Sequence, residues 1–231
     1  MKKIGFSHGV LYRVADVYSC QVIDIYRDCS NEAIETCINK ENDVTKLERI
    51  AQCVMGFSYK SIHLPTDVSY KKDDKTFQLL DKIVNYYKDI DASLVLVHPD
   101  LVDDWEVFDK YKINWAIENM DNRKGKYKSV EELEEFFGKK PSWKLVLDLN
   151  HCYSNDKTMK LAAEIISRLK SKIIQIHLSG YAGYHEPLFQ TKQDFILDYC
   201  NKLDVPVIIE STFDDVDNVK KEYNYITENL K

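Results

Sequence analysis

The run KLVLDL (144–149) is followed along the chain by KIIQIHL (172–178) and PVIIES (206–211), and this succession of similar runs indicates the fold. Each run is a short apolar stretch of strand length, with an acidic residue or a histidine near its end. The segments between the runs carry apolar residues at three- and four-residue spacing, which predicts amphipathic helices. Strands that alternate with helices in this way build a parallel sheet.

Five more runs of the same kind precede these three. They are KKIGFS (2–7), AIETCI (33–38), YKSIHL (59–64), SLVLVH (93–98) and NWAIEN (114–119). After the fifth run, Ser129 with Glu132 three residues later is a capping-box pattern that marks the start of a helix. Eight strand–helix units predict an α/β fold, a single-domain (β/α)8 TIM barrel that spans residues 1–231.

The composition excludes several classes of function. The chain has 231 residues, 44% hydrophobic, with a formal net charge of −6, so its average field repels polyanions and disfavours duplex nucleic acid as a partner. No apolar stretch approaches the ~20 residues of a membrane span, and MKKIGFSHG lacks a cleavable apolar segment. We therefore expect a cytoplasmic protein without a membrane partner. The six cysteines follow no CxxC spacing and are interpreted as reduced thiols, and the oligomeric state is not indicated.

Histidines and acidic residues concentrate at the ends of the predicted strands. The six histidines are His8, His63, His98, His151, His177 and His185. Glu118, Asp148 and Glu210 end strands five, six and eight. Because the carboxyl ends of all barrel strands open on one face, we expect these side chains to converge there.

Strand parity sharpens this expectation, since side chains two positions apart share one face of a strand. A mostly apolar layer is predicted beneath the polar one, made of Ser61, Leu96, Ala116, Val146, Gln175 and Ile208. Ionisable groups crowded on a packed core are costly unless their charge is neutralised. Carboxylates mixed with imidazoles are ligands for Zn, Mn or Fe, so a divalent metal is the predicted cofactor, with its identity open.

These residues resemble the xylose-isomerase-like TIM barrel superfamily, which includes AP endonuclease family 2, with endonuclease IV, and sugar isomerases and epimerases. The resemblance covers essentially the whole chain. It implies that Glu118, Asp148, His177 and Glu210 hold one metal. In the endonuclease IV branch, His63 and His98 would add a second metal, giving one or two per chain, with Glu118 shared between them.

The resemblance is incomplete at two further positions. His151 and His185 match a third metal site or substrate contacts of that branch, but Gly183 stands where the third site needs an aspartate. The epimerase pattern expects an arginine at Gly183 and a glutamate at Lys124. Neither activity is matched in full.

Three functions follow as hypotheses. The first is a metal-dependent isomerase or epimerase of a small sugar or sugar phosphate, with Glu118 and Glu210 as catalytic base and acid. The second is a zinc-dependent phosphoesterase similar to endonuclease IV. The third is a barrel that binds sugar or metal without catalysis.

Five residues are candidate substrate contacts around the predicted mouth. His8 suits a mouth-lining or capping role, and Glu35 faces either the mouth or a neighbouring helix. Arg123 either grips a phosphate or is solvated, as basic loop residues often are. Tyr181 and Tyr184 could close over a substrate, although a chain with fifteen tyrosines offers many by chance.

Overall fold

A computed structural model describes residues 2–230, in which eight parallel strands close into one barrel. The strands are β1 (Ile4–Ser7), β2 (Ala33–Cys37), β3 (Tyr59–His63), β4 (Leu94–Val97), β5 (Trp115–Glu118), β6 (Lys144–Asp148), β7 (Ile173–Leu178) and β8 (Val207–Ile209). Each strand pairs with the next along the chain, and β8 returns to pair with β1. Every observed strand lies inside its predicted run, so the predicted (β/α)8 architecture is confirmed.

Nine α-helices lie in the described part of the chain. They are α1 (Cys20–Arg27), α2 (Ala51–Val54), α3 (Asp74–Asp89), α4 (Val130–Lys139), α5 (Leu149–Asn155), α6 (Lys160–Leu169), α7 (Leu188–Thr191), α8 (Leu197–Cys200) and α9 (Asp217–Asn229). None of the helices between residues 2 and 230 is both long enough and apolar enough to span a bilayer.

The expectation of an amphipathic helix between all strands is wrong after β4. Only two 3-10 turns, Pro99–Leu101 and Trp105–Phe108, join β4 to β5. Pro99 stands at the start of the first turn, and the Asp104 side chain caps the second by accepting from the Glu106 amide at 2.8 Å. This second capping signal starts a new turn, so the segment divides in two.

The predicted capping box at the start of α4 is confirmed. The Ser129 hydroxyl accepts from the Glu132 amide at 3.3 Å, and the Glu132 carboxylate accepts from the Ser129 amide at 3.1 Å. The two contacts satisfy donors that a helix start leaves without partners.

The first strand can approach the second only because Gly5 has no side chain. Gly5 pairs with Ala33, and a Cβ built at Gly5 would lie 1.7 Å from the Ala33 carbonyl oxygen. No small shift relieves such a contact with backbone. Gly5 is therefore required where β1 joins the barrel.

The inside of the barrel has an apolar side and a polar side. Leu94, Leu96, Ala116 and Val146 form the apolar cluster on β4, β5 and β6. Glu35, Ser61 and Gln175, from β2, β3 and β7, are all fully buried on the polar side. The predicted lower layer is thus mixed in polarity, with Glu35 as an unpredicted member.

The interpretation of all cysteines as reduced thiols is wrong for two of them. Cys20 and Cys53 form a disulfide with their Cα atoms 5.8 Å apart, which ties the start of α1 to α2. They lie 33 positions apart in the sequence, so only packing of the two helices brings them together. Cys29, Cys37, Cys152 and Cys200 are free.

Candidate metal centre

The carboxyl ends of the strands surround a cavity of about 600 Å³. Its wall includes His63, His98, Glu118, His151 and Glu210. The cavity falls within the range of ~300 to 1,000 Å³ that is usual for small-ligand sites. The barrel topology thus delivers the predicted side chains to one mouth.

Two sets of side chains within residues 2–230 could each hold a metal ion. His63, His98 and Glu118 form one set, which we call the histidine-pair group. Glu118, Asp148, His177 and Glu210 form the other, the four-ligand group. In each group the candidate ligand atoms all lie within 4.8 Å of one another. Glu118 belongs to both.

The two carboxylate oxygens of Glu118 face different groups. Oε2 lies 3.2 Å from Nε2 of His98 and 3.5 Å from Nε2 of His63. Oε1 lies 3.1 Å from Nδ1 of His177. Glu118 ends β5 and is 1% exposed, so its orientation is held by the surrounding barrel. A carboxylate whose two oxygens face different ligand groups has the arrangement of a bridging ligand.

Asp148 ends β6 and at the same time caps α5. Its Oδ1 accepts from the His151 amide at 2.7 Å, which starts the helix directly at the strand end. Asn119, next to Glu118, holds the other side: its side chain accepts from the Asp148 amide at 2.8 Å and donates to the Asp148 carbonyl at 3.0 Å. Asn119 was not predicted, although an asparagine directly after a ligand at a strand end is a usable signal.

Hydrogen bonds to backbone carbonyls orient two histidines. Nδ1 of His63 lies 2.8 Å from the Leu64 carbonyl, and Nδ1 of His151 lies 2.8 Å from the Asn119 carbonyl. A carbonyl oxygen can only accept, so Nδ1 carries the proton in each ring. Nε2 then presents its lone pair, as a metal ligand must.

His177 is held from both sides of its ring. Its Nδ1 lies 3.1 Å from Oε1 of Glu118 and 3.2 Å from Oε2 of Glu210. Its Nε2 lies 3.2 Å from Oε2 of Glu35, below the ligand layer. The ring is fully buried between these carboxylates.

The donor set fits a divalent cation. Oε2 of Glu118 and Oδ2 of Asp148 are buried without a hydrogen-bond partner among the described residues. Buried carboxylate oxygens without partners are costly, and a cation would satisfy both. Oxygen and imidazole nitrogen together suit zinc, manganese and iron alike.

The pKa values in the four-ligand group diverge because its negative charges crowd together. Burial and the neighbouring Glu118 and Glu210 raise the pKa of Asp148 well above its usual range. Burial also opposes ionisation of Glu118, but the nearby histidines outweigh it and its pKa lies well below the usual range. For Glu210 the charge of His177 likewise outweighs burial and lowers the pKa to about 2. Ionising all three carboxylates together costs free energy unless positive charge is added.

One side of the cavity mouth carries two cations. Lys124 lies 2.7 Å from Asp100, and Nε of Arg123 donates to Asp121 at 2.8 Å. The Arg123 guanidinium also lies 5.6 Å from the centre of the Tyr184 ring. Both cations line the cavity on the loop after β5, as does Tyr184 on the loop after β7.

His151 and His185 lie beside the two groups but belong to neither. Their ring centres are 5.6 Å apart, and Nδ1 of His185 is 3.0 Å from the Ser179 hydroxyl. Asp121, which was not predicted, lies 3.9 Å from Nε2 of His151. Gly183 offers no carboxylate, so the expected third ligand set is incomplete.

Three candidate substrate contacts lie away from the cavity wall. His8 is fully buried and its Nδ1 accepts from the Cys37 amide at 2.9 Å, which supports a structural role instead of a mouth-lining one. Glu35 is fully buried inside the barrel because β2 directs it inward, so it faces neither the mouth nor a helix. Tyr181 packs with Tyr153 and Lys157 beyond the cavity wall.

This chain resembles known proteins in its structure and not in its sequence. No family model matches the sequence, and no curated protein matches it. Solved structures do match, over nearly the whole chain. The chain therefore shares its (β/α)8 fold with these solved structures.

Three of these structures illustrate the kinds of protein that share the fold. Endonuclease IV from Thermus thermophilus has a TM-score of 0.73 and 13% identity, covering 99% of this chain and 98% of the other. A xylose isomerase domain containing protein from Salmonella typhimurium has a TM-score of 0.70 and 12% identity, covering 99% and 97%. D-allulose 3-epimerase from Methylomonas sp. has a TM-score of 0.68 and 15% identity, covering 99% and 98%. At these identities the similarity establishes the fold alone.

Proposed function

We propose that this protein is a metal-dependent phosphoesterase in which each of the two ligand groups would hold one divalent ion, with Glu118 common to both groups. The observation that carries the proposal is that the two oxygens of the Glu118 carboxylate face different groups. Oε2 lies toward His63 and His98, and Oε1 lies toward His177. A single-ion centre would leave His63 and His98 to contact substrate or support a ligand, which does not account for both Nε2 atoms lying within 3.5 Å of Oε2 of Glu118. The sequence favoured a sugar isomerase first; the geometry of the pair moves our preference to hydrolysis.

The chain's own residues supply the remaining parts of such a site. When bound, two neighbouring divalent ions would activate water and stabilise the charge of a phosphoryl group. Lys124 and Arg123 lie on the cavity wall and would bind anionic oxygens of the substrate. Glu210 also lines the cavity, is 15% exposed at its side chain, and would orient the attacking water by accepting a hydrogen bond from it.

The cavity size and the net charge point to a small substrate. A volume of about 600 Å³ suits a sugar phosphate or a similar phosphate ester. The formal charge of −6 still disfavours duplex nucleic acid, although endonuclease IV shares the fold.

An isomerase or epimerase of a sugar or sugar phosphate is the second candidate. It is favoured by the two carboxylates, Glu118 and Glu210, that both lie within 3.2 Å of Nδ1 of His177. Carboxylates from the fifth and eighth strands would remove a proton on one side of a sugar carbon and return it on the other.

Metal stoichiometry tests the proposal. We expect about two ions of Zn, Mn or Fe per chain in protein purified without chelators, and about one in His63→Ala. His8→Ala is the matched control, because it removes a buried strand-end histidine that lies outside both groups. One ion per chain that is unchanged by His63→Ala would contradict the two-ion proposal.

A substrate panel then separates the candidate reactions. Phosphate mono- and diesters, sugar phosphates, free ketoses and abasic oligonucleotides would be supplied with the metal found. Release of phosphate or alcohol supports the phosphoesterase, whereas interconversion of sugars without hydrolysis supports the isomerase. Binding without turnover of any compound would indicate a non-catalytic barrel.

A further inference from the structure

A polar network lies inside the barrel directly beneath the four-ligand group. Oε2 of Glu35 accepts from the Ser61 hydroxyl at 2.8 Å and from the Gln175 amide nitrogen at 2.7 Å. The same oxygen lies 3.2 Å from Nε2 of His177. The Tyr59 hydroxyl donates to Oε1 of Gln175 at 2.9 Å. Strands β2, β3 and β7 thus meet at one carboxylate oxygen.

Burial of the Glu35 carboxylate inside the barrel costs free energy. Glu35 is fully buried, and its other oxygen, Oε1, has no hydrogen-bond partner among residues 2–230. Within the same residues its ion-pair contact is His177, and no lysine or arginine reaches it. A buried carboxylate with so few partners destabilises the fold, so its presence indicates a role other than stability.

The Gln175 amide has one orientation that suits its neighbours. With Oε1 toward Tyr59, its nitrogen donates to Glu35. A flipped amide would place oxygen against the Glu35 carboxylate, where two acceptors repel each other. Gln175 therefore cannot accept a proton from Nε2 of His177, although its nitrogen lies 2.9 Å away. Glu35 is the acceptor that remains.

The two nitrogens of His177 consequently have different tasks. Nδ1 lies between Glu118 and Glu210, where a metal needs a lone pair. A neutral imidazole that gives its Nδ1 lone pair carries its proton on Nε2, and this proton needs an acceptor in the dry interior.

We propose that Glu35 is the positioning residue of the metal centre: it accepts the Nε2 proton of His177 and so fixes the ring with Nδ1 toward the metal. Glu35 touches no part of the cavity, so it acts through His177 and not on substrate. The inference rests on the metal centre of the proposed function but is independent of the reaction that the centre performs.

Glu35→Gln tests this assignment with two readouts that need no enzyme activity. Zn²⁺ affinity is measured by competition with a chelator, and the ligating nitrogen of His177 is read from ¹¹³Cd–¹⁵N coupling in cadmium-loaded protein. In the wild type we expect coupling to Nδ1 and a slowly exchanging proton on Nε2. In Glu35→Gln we expect affinity about 10- to 100-fold lower, with faster exchange of that proton.

Glu222→Gln is the matched control. Glu222 is also fully buried and also accepts three hydrogen bonds, from the Leu188 amide at 2.8 Å, the Phe189 amide at 3.0 Å and the Ser211 hydroxyl at 2.6 Å. It contacts no residue of either ligand group through these bonds. We expect it to lose stability but to keep its Zn²⁺ affinity within about twofold. Equal losses of affinity in both variants would overturn the proposal for Glu35.

Two further outcomes are distinguishable. If Glu35→Gln does not fold, Glu35→Asp replaces it, because aspartate keeps the charge but has a shorter side chain. We expect its Zn²⁺ affinity to be below that of the wild type by less than about 100-fold. Unchanged affinity together with unchanged Nδ1 coupling in Glu35→Asp would contradict the role. If the wild type takes up neither Zn²⁺ nor Cd²⁺, the proposed function and this assignment both fail. Normal uptake with no effect of Glu35→Gln removes the assignment alone.

Discussion

The two ligand groups that meet at Glu118 are supported in different ways. In the histidine-pair group, His63 is oriented by the carbonyl of its own neighbour Leu64, and Nδ1 of His98 has no hydrogen-bond partner among the described residues. In the four-ligand group, His177 is oriented by Glu35, a residue far away in sequence that Ser61 and Gln175 hold in place. Local backbone supports one group, and a side-chain network across the barrel supports the other.

The groups also differ in depth. The His98 side chain is 16% exposed, whereas His177 is fully buried. A buried carboxylate behind a histidine raises its strength as a ligand, and exclusion of water strengthens the charges around it. We infer that the four-ligand group is the permanent site and the histidine-pair group the more exchangeable one.

Removal of the shared ligand should have the largest effect, because it weakens metal binding in both groups at once. Glu118→Ala takes one ligand from each, and we expect loss of most bound metal and a fall in kcat/KM of about 10³-fold or more, as expected for several kcal/mol of lost charge stabilisation. Metal per chain and steady-state kinetics measure both. Asp121→Asn, at the same cavity but outside both groups, is the control for metal content. Two ions retained in Glu118→Ala would show that Glu118 is not shared.

Stepwise removal of metal tests the comparison directly. We expect a chelator titration to release one ion from the histidine-pair group first, with a dissociation constant about 10- to 100-fold weaker than that of the second ion. Histidine signals in NMR spectra report the order, since His63 and His98 should change before His177. Simultaneous release, or release of the four-ligand ion first, would contradict the inference that the histidine-pair group binds its ion more weakly.

A buried histidine outside both groups shows what burial does without a ligand role. Burial lowers the pKa of His8 to about 4. Above pH ~6.5 the ring is neutral in the folded and unfolded states, so it adds no pH dependence there. Below that value the unfolded chain binds a proton that the folded chain resists, and stability falls as the pH drops toward 4.

His8→Gln should therefore remove part of the loss of stability in acid. Between pH 7 and pH 5 the wild type should lose about 2 kcal/mol more of its free energy of unfolding than the variant, from 1.36 kcal/mol per pH unit below the unfolded pKa. Urea unfolding of metal-free protein at both pH values measures the difference. Identical losses in the two proteins would show that His8 is protonated in the fold.

The smallest expected effect concerns the side of the mouth that meets the substrate. Lys124 is held by Asp100, close after His98 in the chain, so it should bind a substrate phosphate on the side of the histidine-pair group. We expect Lys124→Met to raise KM for phosphate esters about tenfold, from the loss of one charge-assisted hydrogen bond. Lys126→Met, on the same loop but outside the cavity, is the matched control. Equal KM values for both variants would remove Lys124 from the site.

Much of the site could be predicted because strand periodicity is local. A strand directs alternate residues to one face, and a parallel barrel brings all carboxyl ends together, so residue order was enough to place Glu118, Asp148, His177 and Glu210 at one mouth. His63 and His98 follow by the same rule, and all six are now found in the two ligand groups. The helix start at Ser129 was equally local, since it depends on a contact between residues three apart.

The remaining features depend on contacts between distant segments. Glu35 and His177 stand on strands far apart in the chain, and nothing near either residue indicates that one would support the other. The disulfide between Cys20 and Cys53 and the turn of His8 away from the mouth have the same origin. The barrel, its strands and its layer of candidate ligands could be predicted from the sequence, because these follow from periods of two and of about 3.6 residues. Which oxygen of Glu118 faces which histidines, and which side chain supports each ring, could be seen only in the folded protein. These contacts depend on how strands that are distant in sequence pack across the closed barrel.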